Sequence, residues 1–412
     1  MDVLFRCCAG LDVHKKNVVV CVRRVDEGGK VHKLTRTFGT FTRQILEMSD
    51  WLAAEGVCQT AMESTGVYWK PIYNLLEGRM PVILVNAAHI KQVPGRKTDA
   101  KDCEWIAECL QHGLLRGSFV PPQPLRELRD LTRHRAKLVD SRTAVINRLQ
   151  KTLEDANIKL ASVVTDVTGV SAQDMLQSLV EGVEDPEQLA QMARGRMRGK
   201  IPALKLALEG KMTEHHRFMI DLMLREIATF NEFIGQVSAK IEELMRPFAE
   251  QIERLKEVPG IDRTTAENIV AEVGVDMSQF PSAAHLASWA GVCPGNNVSA
   301  GKRKSGRTTK GNRWLRRALT QAAWAASRTK GTYLSAQYHR LSPRRGKKRA
   351  IVAMAHTILQ STFHLLKSSV HYQELGADYF DRLDPEATTR YLVKRLQRLG
   401  YVVELIPTPS AA

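Results

Sequence analysis

Two apolar runs near the start of the chain are each interrupted by a carboxylate. Asp12 lies within the run Cys8–Val13, and Glu63 lies at the end of the run Val57–Ser64. Short apolar runs bounded by turn residues predict buried strands. A buried carboxylate is costly unless it binds a cation or another partner. The fold must therefore bring a partner to both Asp12 and Glu63.

A second pair of carboxylates, Asp99 and Asp102, stands at the start of a predicted helix at about 98–114. Their spacing of three places them on one helix face. Hard divalent ions prefer oxygen ligands, and two such ions can hold the attacking and leaving oxygens of a phosphate displacement. The four carboxylates together predict a Mg²⁺ (or Mn²⁺) site for phosphodiester chemistry. Taken singly, each is also compatible with a turn, a surface position or a helix N-terminal charge.

The first ~120 residues predict an α/β domain. Strand-like runs occur at about 7–13, 17–25, 31–38, 57–63 and 81–86, with a hairpin turn signal at 26–30. Helical patterns follow at about 42–54, 67–78 and 98–114. Three antiparallel strands followed by alternating helices and strands is the order of an RNase H-like fold, in which acidic residues of the central strands and a following helix meet at one edge. The Pro-rich segment 121–124 ends this domain.

Residues 125–257 are predicted to be helical, and a heptad series runs from Ile220 to Val258 with only Gln251 polar. This pattern favours a coiled coil or a long bundle helix, which Pro247 should break near its C-terminal end. An ordinary core helix packing within its own chain is the alternative. The helical run at about 125–157 is a candidate antiparallel partner, and residues 160–212 predict short helices and loops.

The charge distribution indicates a polyanionic partner. The chain of 412 residues carries a net charge of +16, and residues 301–350 hold sixteen Lys and Arg with no Asp or Glu. A solvated basic face is the alternative, but interleaved apolar residues such as Trp314 and Trp324 favour a folded surface. The predicted nucleic-acid contacts are Lys302, Arg303, Lys304, Arg307, Lys310, Arg313, Arg316 and Arg317.

Two further segments predict contacts with phosphates. The turn Val258-Pro259-Gly260-Ile261 resembles a helix-hairpin-helix motif, in which backbone N–H groups at a position such as Gly260 bind a phosphate, although plain helical hairpins contain similar turns. Residues 291–307 form a Gly-, Asn- and Ser-rich loop flanked by bases. Ser299 in this loop could present its hydroxyl to a phosphate, with cations balancing the developing charge. Considered alone it is a loop serine, and Ser305 lies six residues on in an equally basic setting.

Four sequence pieces occur together in a familiar order. They are Gly10-Leu11-Asp12-Val13-His14-Lys15, Met62-Glu63-Ser64-Thr65-Gly66, Lys97-Thr98-Asp99-Ala100-Lys101-Asp102 and Pro294-Gly295-Asn296-Asn297-Val298-Ser299-Ala300-Gly301-Lys302. With these pieces the chain resembles the DEDD-type insertion-sequence transposases, also called bridge-RNA-guided recombinases, which are relatives of the Piv-type DNA invertases. The resemblance covers about 7–120 and 250–370.

The resemblance implies a RuvC-like domain at 1–120 in which Asp12, Glu63, Asp99 and Asp102 bind the metal. It implies that Ser299 is the nucleophile of a 5′-phosphoserine link to DNA, made across subunits of a dimer or tetramer. The implied partners are donor and target DNA and a structured noncoding guide RNA. The remaining predicted regions are a helical coiled-coil region at 121–257, a mainly α transposase domain at 258–375 and a tail at 376–412.

The cysteines and hydropathy predict a cytoplasmic protein. The seven cysteines show neither zinc-ligand spacing nor a disulfide framework, and no run is apolar and long enough for a secretory signal or a membrane span. Two other functions remain open at this point. One is a Holliday-junction-type endonuclease that uses metal-activated water, and the other is a non-catalytic nucleic-acid-binding protein whose acidic residues are structural.

Overall fold

The chain forms two compact units, residues 1–120 and residues 121–412. The structure is a computed structural model that describes residues 2–64, 66–90, 93, 102–295 and 297–406. Asp99, one of the four predicted metal ligands, lies outside the described residues. Among the helices that are described, none has the length and apolar character needed to cross a bilayer.

The first unit is built on a five-stranded mixed sheet with the order β3-β2-β1-β4-β5. Its strands are β1 (Cys7–Val13), β2 (Asn17–Val25), β3 (Val31–Gly39), β4 (Gln59–Glu63) and β5 (Val82–Val85). Its helices are α1 (Thr42–Ala54), α2 (Trp69–Leu76), α3 (Ala87–Ile90) and α4 (Asp102–Gln111). β1, β2 and β3 pair antiparallel, whereas β1, β4 and β5 pair parallel. The predicted α/β character and the order of these strands and helices are confirmed.

The central strand β1 is buried on both of its faces. Ala9, Leu11 and Val13 belong to one core cluster, which also contains residues of α1 and α2. Cys8 belongs to the cluster on the opposite face together with residues of α4, and its thiol donates to the carbonyl of Ala107 at 3.5 Å. Because side chains alternate along a strand, Gly10 and Asp12 share the α4 face with Cys8.

Gly10 sets how closely α4 can approach the sheet. A Cβ at this position would lie 2.3 Å from the carbonyl oxygen of Cys103 and 2.4 Å from the backbone nitrogen of Ala107. No larger residue fits there unless the helix backbone moves. The glycine therefore holds the first turn of α4, which begins at Asp102, directly against β1.

The second unit is mainly helical. Its long helices are α5 (Gln123–Asp155), α10 (Glu214–Met245), α14 (Arg313–Ala326), α15 (Tyr333–Arg345), α16 (Lys347–Ser368) and α18 (Pro385–Arg398). The shorter helices are α6 (Leu160–Val163), α7 (Val170–Val180), α8 (Pro186–Gln191), α9 (Ile201–Leu208), α11 (Ala249–Lys256), α12 (Arg263–Val273), α13 (Ala283–Ala290) and α17 (Tyr379–Leu383). A small hairpin consists of β6 (Asn297–Ser299) and β7 (Lys302–Ser305). 3-10 helices occur at Gly195–Lys200, Arg246–Phe248 and Met277–Gln279.

The heptad series forms a core helix of this unit. α10 packs antiparallel on α5, and the pairing is marked by Arg148 with Glu226 at 3.2 Å and by Asp155 with His216 at 3.0 Å. Ile220, Met223 and Ile227 are buried in one cluster with residues of α5. The alternative of a helix packing within its own chain is therefore confirmed for this stretch, and so is the antiparallel partner. An assembly role for α10 stays a prediction.

Two finer expectations for the middle of the chain are also confirmed. α10 ends at Met245, and a 3-10 turn containing Pro247 separates it from α11, because proline cannot continue the helical hydrogen bonding. Residues 160–212 form short helices joined by loops.

The contact at Gly10 predicts the effect of adding one methyl group. Gly10→Ala should lower the free energy of unfolding by about 1–3 kcal/mol, because α4 must shift away from β1. Gly28→Ala is a matched control, since its Cβ would meet only the Asp26 side chain at 3.4 Å. Thermal denaturation of the full-length proteins measures both effects. Equal melting temperatures for the two variants would contradict the close approach of α4.

Candidate active site

β1, β4 and α4 bring three of the four predicted carboxylates to one end of the sheet. In the parallel pairing of β1 with β4, Leu11 lies beside Met62, so Asp12 and Glu63 occupy the next position on neighbouring strands. Ala61 packs on the α4 side of the sheet, and alternation places Glu63 on that side with Asp12. Asp102 is the first residue of α4, which lies against this face. The structure thus places Asp12, Glu63 and Asp102 at the same end of the sheet, where β1 and β4 end.

The electrostatic setting of Asp12 is unfavourable for its charge. Burial raises the pKa of the Asp12 carboxyl, and the negative charge of Asp102 raises it further. His14 opposes both effects, since its Nε2 lies 3.1 Å from the Asp12 carboxylate. The side chain of Asp12 is 21% exposed, so it can still be reached from solvent. A bound cation would relieve the repulsion and favour the ionised form.

The chemistry of these donors fits a hard divalent ion, which prefers carboxylate oxygens. Within the described part of the chain, no three His, Cys, Asp or Glu side chains are grouped closely enough to hold a metal ion by themselves. The nearby thiols are poor ligands, because burial raises the pKa of Cys8 to about 12 and that of Cys103 to about 11. The oxygen donors at this end of the sheet are therefore the carboxylates of Asp12, Glu63 and Asp102.

The predicted serine loop contains a β-hairpin. β6 ends at Ser299, which pairs with Lys302, and the two residues between them are Ala300 and Gly301. Their φ angles are +49° and +74°, as a type I′ turn requires at both central positions. The composition predicted only a loop here. The hairpin was not predicted because its strands are very short and because Ala300, a non-glycine residue, occupies the first left-handed position of the turn. The backbone of Ser299 lies directly before the tip of this hairpin.

The base of the hairpin is held by several backbone contacts. The Gly295 N–H donates to the Arg307 carbonyl at 2.8 Å, and Pro294 forms a bridge with Thr308. A Cβ on Gly311 would lie 2.3 Å from the Gly291 nitrogen, so only glycine allows the two ends of the segment to come so close. These contacts fix where the hairpin leaves the helical unit.

A buried carboxylate, Glu272 on α12, anchors the segment that follows the hairpin. Glu272 is 1% exposed. It accepts two hydrogen bonds from Arg133 of α5, each at 2.7 Å, and one from the Asn312 side-chain amide at 2.6 Å. Arg129 lies 3.6 Å away, and its pKa is lowered to about 10 because burial outweighs the attraction of Glu272.

Asn312 links this network to the hairpin. Its side-chain oxygen caps α14 by accepting from the Trp314 N–H at 3.0 Å and the Leu315 N–H at 3.1 Å, while its amide nitrogen donates to Glu272. One side chain therefore satisfies a helix start and a buried charge. The sequence reasoning missed Glu272 and Asn312, because their partners are about 40 and 140 residues apart in the chain.

Several of the predicted nucleic-acid contact residues make specific contacts within the protein. Arg317 makes two hydrogen bonds to Asp140, at 2.5 and 2.6 Å, and Arg313 stacks over Trp314 at 4.7 Å from the ring centre. Gly260 has φ +89°, and a Cβ on it would lie 2.3 Å from the Ala322 carbonyl oxygen of α14. Glycine at position 260 thus has a packing reason that is independent of phosphate binding.

The remaining predicted nucleic-acid contacts lie on the hairpin, in the segment after it and at the start of α14. Lys302, Arg307 and Lys310 are exposed, whereas Arg316 is half-buried on α14. Arg303 and Lys304 lie on β7. The structure also describes a second basic group that the sequence reasoning did not select, at the corner between α15 and α16.

Comparisons with known proteins agree with the predicted resemblance. A family profile of transposases of the DEDD, IS110 type matches residues 9–158, and a profile described as the transposase IS116/IS110/IS902 family matches residues 252–339. Together the two matches span more than half of the chain. The chain belongs to the DEDD-type insertion-sequence transposases. It is accordingly an enzyme that cuts and rejoins DNA.

Individual relatives match over most of their length. The transposase for insertion sequence element IS1111A of Coxiella burnetii is 26% identical over 361 residues, which cover 84% of this chain and 85% of that protein. An uncharacterized 42 kDa protein of the insertion element IS900 of Mycobacterium paratuberculosis is 26% identical over 307 residues, covering 67% and 73% of the two chains. The family's divalent-metal requirement agrees with the oxygen donors at Asp12, Glu63 and Asp102.

The hydrogen bond between Glu272 and Asn312 predicts that exchanging the amide and the carboxylate between the two positions restores part of the stability that each single substitution removes. Asn312→Asp should keep the helix cap but place two carboxylates together. Glu272→Gln should leave two half-buried arginines without their anion, at a cost of about 3 kcal/mol. In the double variant the new amide at position 272 can donate to the new carboxylate at position 312, and one negative charge remains beside Arg129 and Arg133. Unfolding free energies should therefore show a favourable coupling of about 0.5–3 kcal/mol. Strictly additive effects would contradict the role of this bond.

Proposed function

We propose that this transposase exchanges DNA strands through Ser299, acting together with a divalent metal held by Asp12, Glu63, Asp99 and Asp102. The observation that carries the proposal is the convergence of Asp12, Glu63 and Asp102 at the carboxyl ends of β1 and β4. The strand order β3-β2-β1-β4-β5, with three antiparallel strands followed by two parallel ones, supports an RNase H-like (RuvC-like) domain around this site.

Mg²⁺ or Mn²⁺, when bound by these carboxylates, supplies charge stabilisation for the attacking and leaving oxygens. The chain's own part is to hold the ligands in place. Gly10 lets the first turn of α4 approach β1, so Asp102 stands near Asp12. Burial keeps the site partly dry, which strengthens electrostatic interactions with a phosphate.

In the proposed reaction the Ser299 hydroxyl oxygen forms a bond to the phosphorus of a phosphodiester. The bond from that phosphorus to the 3′ oxygen breaks, and the proton lost by the serine balances the one gained by the departing 3′ hydroxyl. The product is a 5′-phosphoserine, which keeps the ester bond. Attack by the 3′ hydroxyl of another strand then releases the serine, so strands are exchanged without an external energy source.

The hairpin geometry supports Ser299 rather than Ser305 as the nucleophile. Ser299 directly precedes the turn formed by Ala300 and Gly301, where an L-residue is held at φ +49°. Unusual backbone geometry of this kind concentrates at functional sites. The Ser305 side chain instead accepts a hydrogen bond from the Arg307 N–H at 3.2 Å near the base of the hairpin.

The proposal also covers the partners, the assembly and the division of the chain. The partners are donor and target DNA and a structured guide RNA, for which the net charge of +16 supplies sequence-independent attraction. The active sites are shared between subunits of a dimer or tetramer, with α10 as an assembly helix. The helical region 121–257, the transposase domain 258–375 with its helix-hairpin-helix-like turn, and the tail 376–412 complete the division.

Metal binding can be tested through Asp12 without measuring catalysis. Mg²⁺ at roughly ten times its Kd should stabilise the wild type by about 1.4 kcal/mol, and Asp12→Asn should remove most of this gain. Because the pKa of Asp12 is raised, the proton competes more strongly as pH falls, so Mg²⁺ stabilisation should weaken on acidification. Asp50→Asn, on an exposed part of α1, is the control for scanning calorimetry. Equal Mg²⁺ responses in all three proteins would contradict metal binding at Asp12.

The nucleophile is tested by comparing two serine variants. Ser299→Ala should abolish strand transfer, because no other group takes the place of its oxygen, whereas Ser305→Ala should retain it. Strand transfer on labelled DNA gives the result. Cleavage by Ser299→Ala that leaves free 5′-phosphate ends would instead favour the Holliday-junction-type nuclease.

Two of these variants, when mixed, test whether the active site is shared between subunits. A mixture of Asp12→Asn and Ser299→Ala proteins can form one intact site if the carboxylates of one subunit act with the serine of another. Partial recovery of strand transfer is the expected result, while a mixture as inactive as its components would restrict the chemistry to single subunits.

A further inference from the structure

A large groove lies between α15 and α16 beside the base of the serine hairpin. Its volume is about 1250 Å³. On one wall, α15 contributes Gln337, Leu341 and Arg345, which recur every four residues and so share one helix face. Val292 and Pro294 line the groove from the segment that leads into β6.

The opposite wall is a stripe along α16 with the same spacing. Three neighbouring pairs recur every four residues, and they are Lys348 with Arg349, Val352 with Ala353, and His356 with Thr357. Both walls therefore change character in the same direction. The groove is basic at one end, apolar in its middle and uncharged polar at the other end.

The basic end has an excess of positive charge. α16 begins with Lys347, Lys348 and Arg349, although cations at a helix N-terminus oppose the helix dipole. Arg345 adds another cation to the same end, and Arg307 also lines the groove. Among the residues that the structure describes, no acidic side chain lines the groove. An anion at this end would offset the repulsion.

The polar end has a buried acceptor that lacks a donor. The Gln337 amide nitrogen donates to the Thr357 hydroxyl at 3.0 Å. That hydroxyl donates to the Ala353 carbonyl at 3.2 Å, and in this arrangement it acts as the acceptor toward the Gln337 amide nitrogen. The Gln337 Oε1 is then buried without a hydrogen-bond partner among the described residues. Such a group is rare in folded proteins and points to a missing donor.

His356 completes this end of the groove as a neutral ring. Burial lowers the pKa of His356. The uncharged ring does not attract a phosphate electrostatically. A neutral imidazole can stack on a nucleobase, as aromatic residues do in single-strand recognition. The polar end is thus suited to a planar group with hydrogen-bond donors, and the basic end to a phosphate.

We propose that this groove binds an unpaired nucleotide of the DNA strand, with its base in the apolar middle and its phosphates at the α15–α16 corner. The edge of the base would lie beside the Gln337 side chain at the polar end of the groove. A duplex cannot fill the groove in this way, because its bases remain stacked inside and it presents only backbone to the apolar floor. The inference rests on the proposed function in taking DNA as the polyanion.

The place of the groove gives the unpaired nucleotide a role. Pro294 and Thr308, which form the bridge at the hairpin base, both line the groove. Ser299 follows Pro294 by five residues, a span of no more than roughly 17 Å along an extended chain. A strand anchored in the groove is therefore held close to the hairpin tip.

Binding of a labelled single-stranded deoxyoligonucleotide to the full-length protein, without divalent metal, tests the phosphate end. Arg345→Ala with Arg349→Ala should reduce the slope of log affinity against log salt by about 1.4, because two single-strand phosphate contacts are lost. Arg395→Ala with Arg398→Ala removes two exposed cations of α18 and should leave the slope unchanged. Equal slopes in both double variants would overturn the placement of the phosphates.

An oligonucleotide with one abasic position tests the base end. The wild type should bind it about tenfold more weakly than the intact oligonucleotide, in the range of a lost base contact. Ala353→Phe fills the apolar middle and should abolish this difference. If Ala353→Phe does not fold, Gln337→Leu is the alternative variant, because it keeps the size of the side chain. It should reduce the difference in affinity between the intact and the abasic strand. Equal binding of intact and abasic strands by the wild type would overturn the inference, and so would binding of only the matching RNA.

The test is separate from that of the nucleophile. Ser299→Ala and Asp12→Asn proteins should give the same salt slope and the same loss on the abasic strand as the wild type. If strand transfer proves independent of Ser299 while these binding results hold, the groove stands and only the assignment of the nucleophile fails.

Discussion

The buried carboxylate of Glu272 is the interaction on which the serine-bearing part of the molecule depends. It joins α12 to Arg133 of α5 and to Asn312, which begins α14. A buried anion with so many donors is costly to break, because each donor would remain in a poorly solvated place. The hairpin that contains Ser299 lies between α13 and α14, so the Glu272 network fixes where it leaves the helical unit. Gly291 and Gly311 then bring the two ends of that segment into backbone contact.

Glu272 and Asp12 differ in how their charge is balanced. Glu272 has two arginines and an amide within reach and is satisfied by the fold alone. Asp12 has His14 nearby, but burial and the charge of Asp102 still raise its pKa. A carboxylate whose partners are all supplied by the fold, such as Glu272, has a structural role. A carboxylate whose charge is not balanced by the fold, such as Asp12, is stabilised by a bound cation. This difference is the physical reason for proposing a metal site at Asp12 and not in the helical unit.

The sequence predicted the first unit well and the second only in outline. Asp12 and Glu63 interrupt short apolar runs, and such local patterns are enough to place strands and a shared edge. The predicted ends of β1, β2 and α1 agree with the structure. The Ser299 hairpin was missed because its turn depends on Ala300 adopting a left-handed conformation, which composition does not indicate. Arg345, Lys348 and Arg349 lie in a basic run that the sequence did reveal, and the clustering of these cations was the available signal.

The central claim is that a covalent bond to DNA forms at Ser299, and one measurement tests it most directly. A reaction stopped before strand exchange is complete can be digested with trypsin and nuclease and analysed by mass spectrometry. Cleavage after Arg263 and Lys302 leaves Ser299 in the peptide 264–302, whereas cleavage after Lys304 and Arg307 leaves Ser305 in the tripeptide 305–307. The account predicts a phosphodeoxynucleotide mass on the peptide 264–302, localised to Ser299 by fragmentation. The same mass on the tripeptide, or cleaved DNA with no modified peptide, would contradict it.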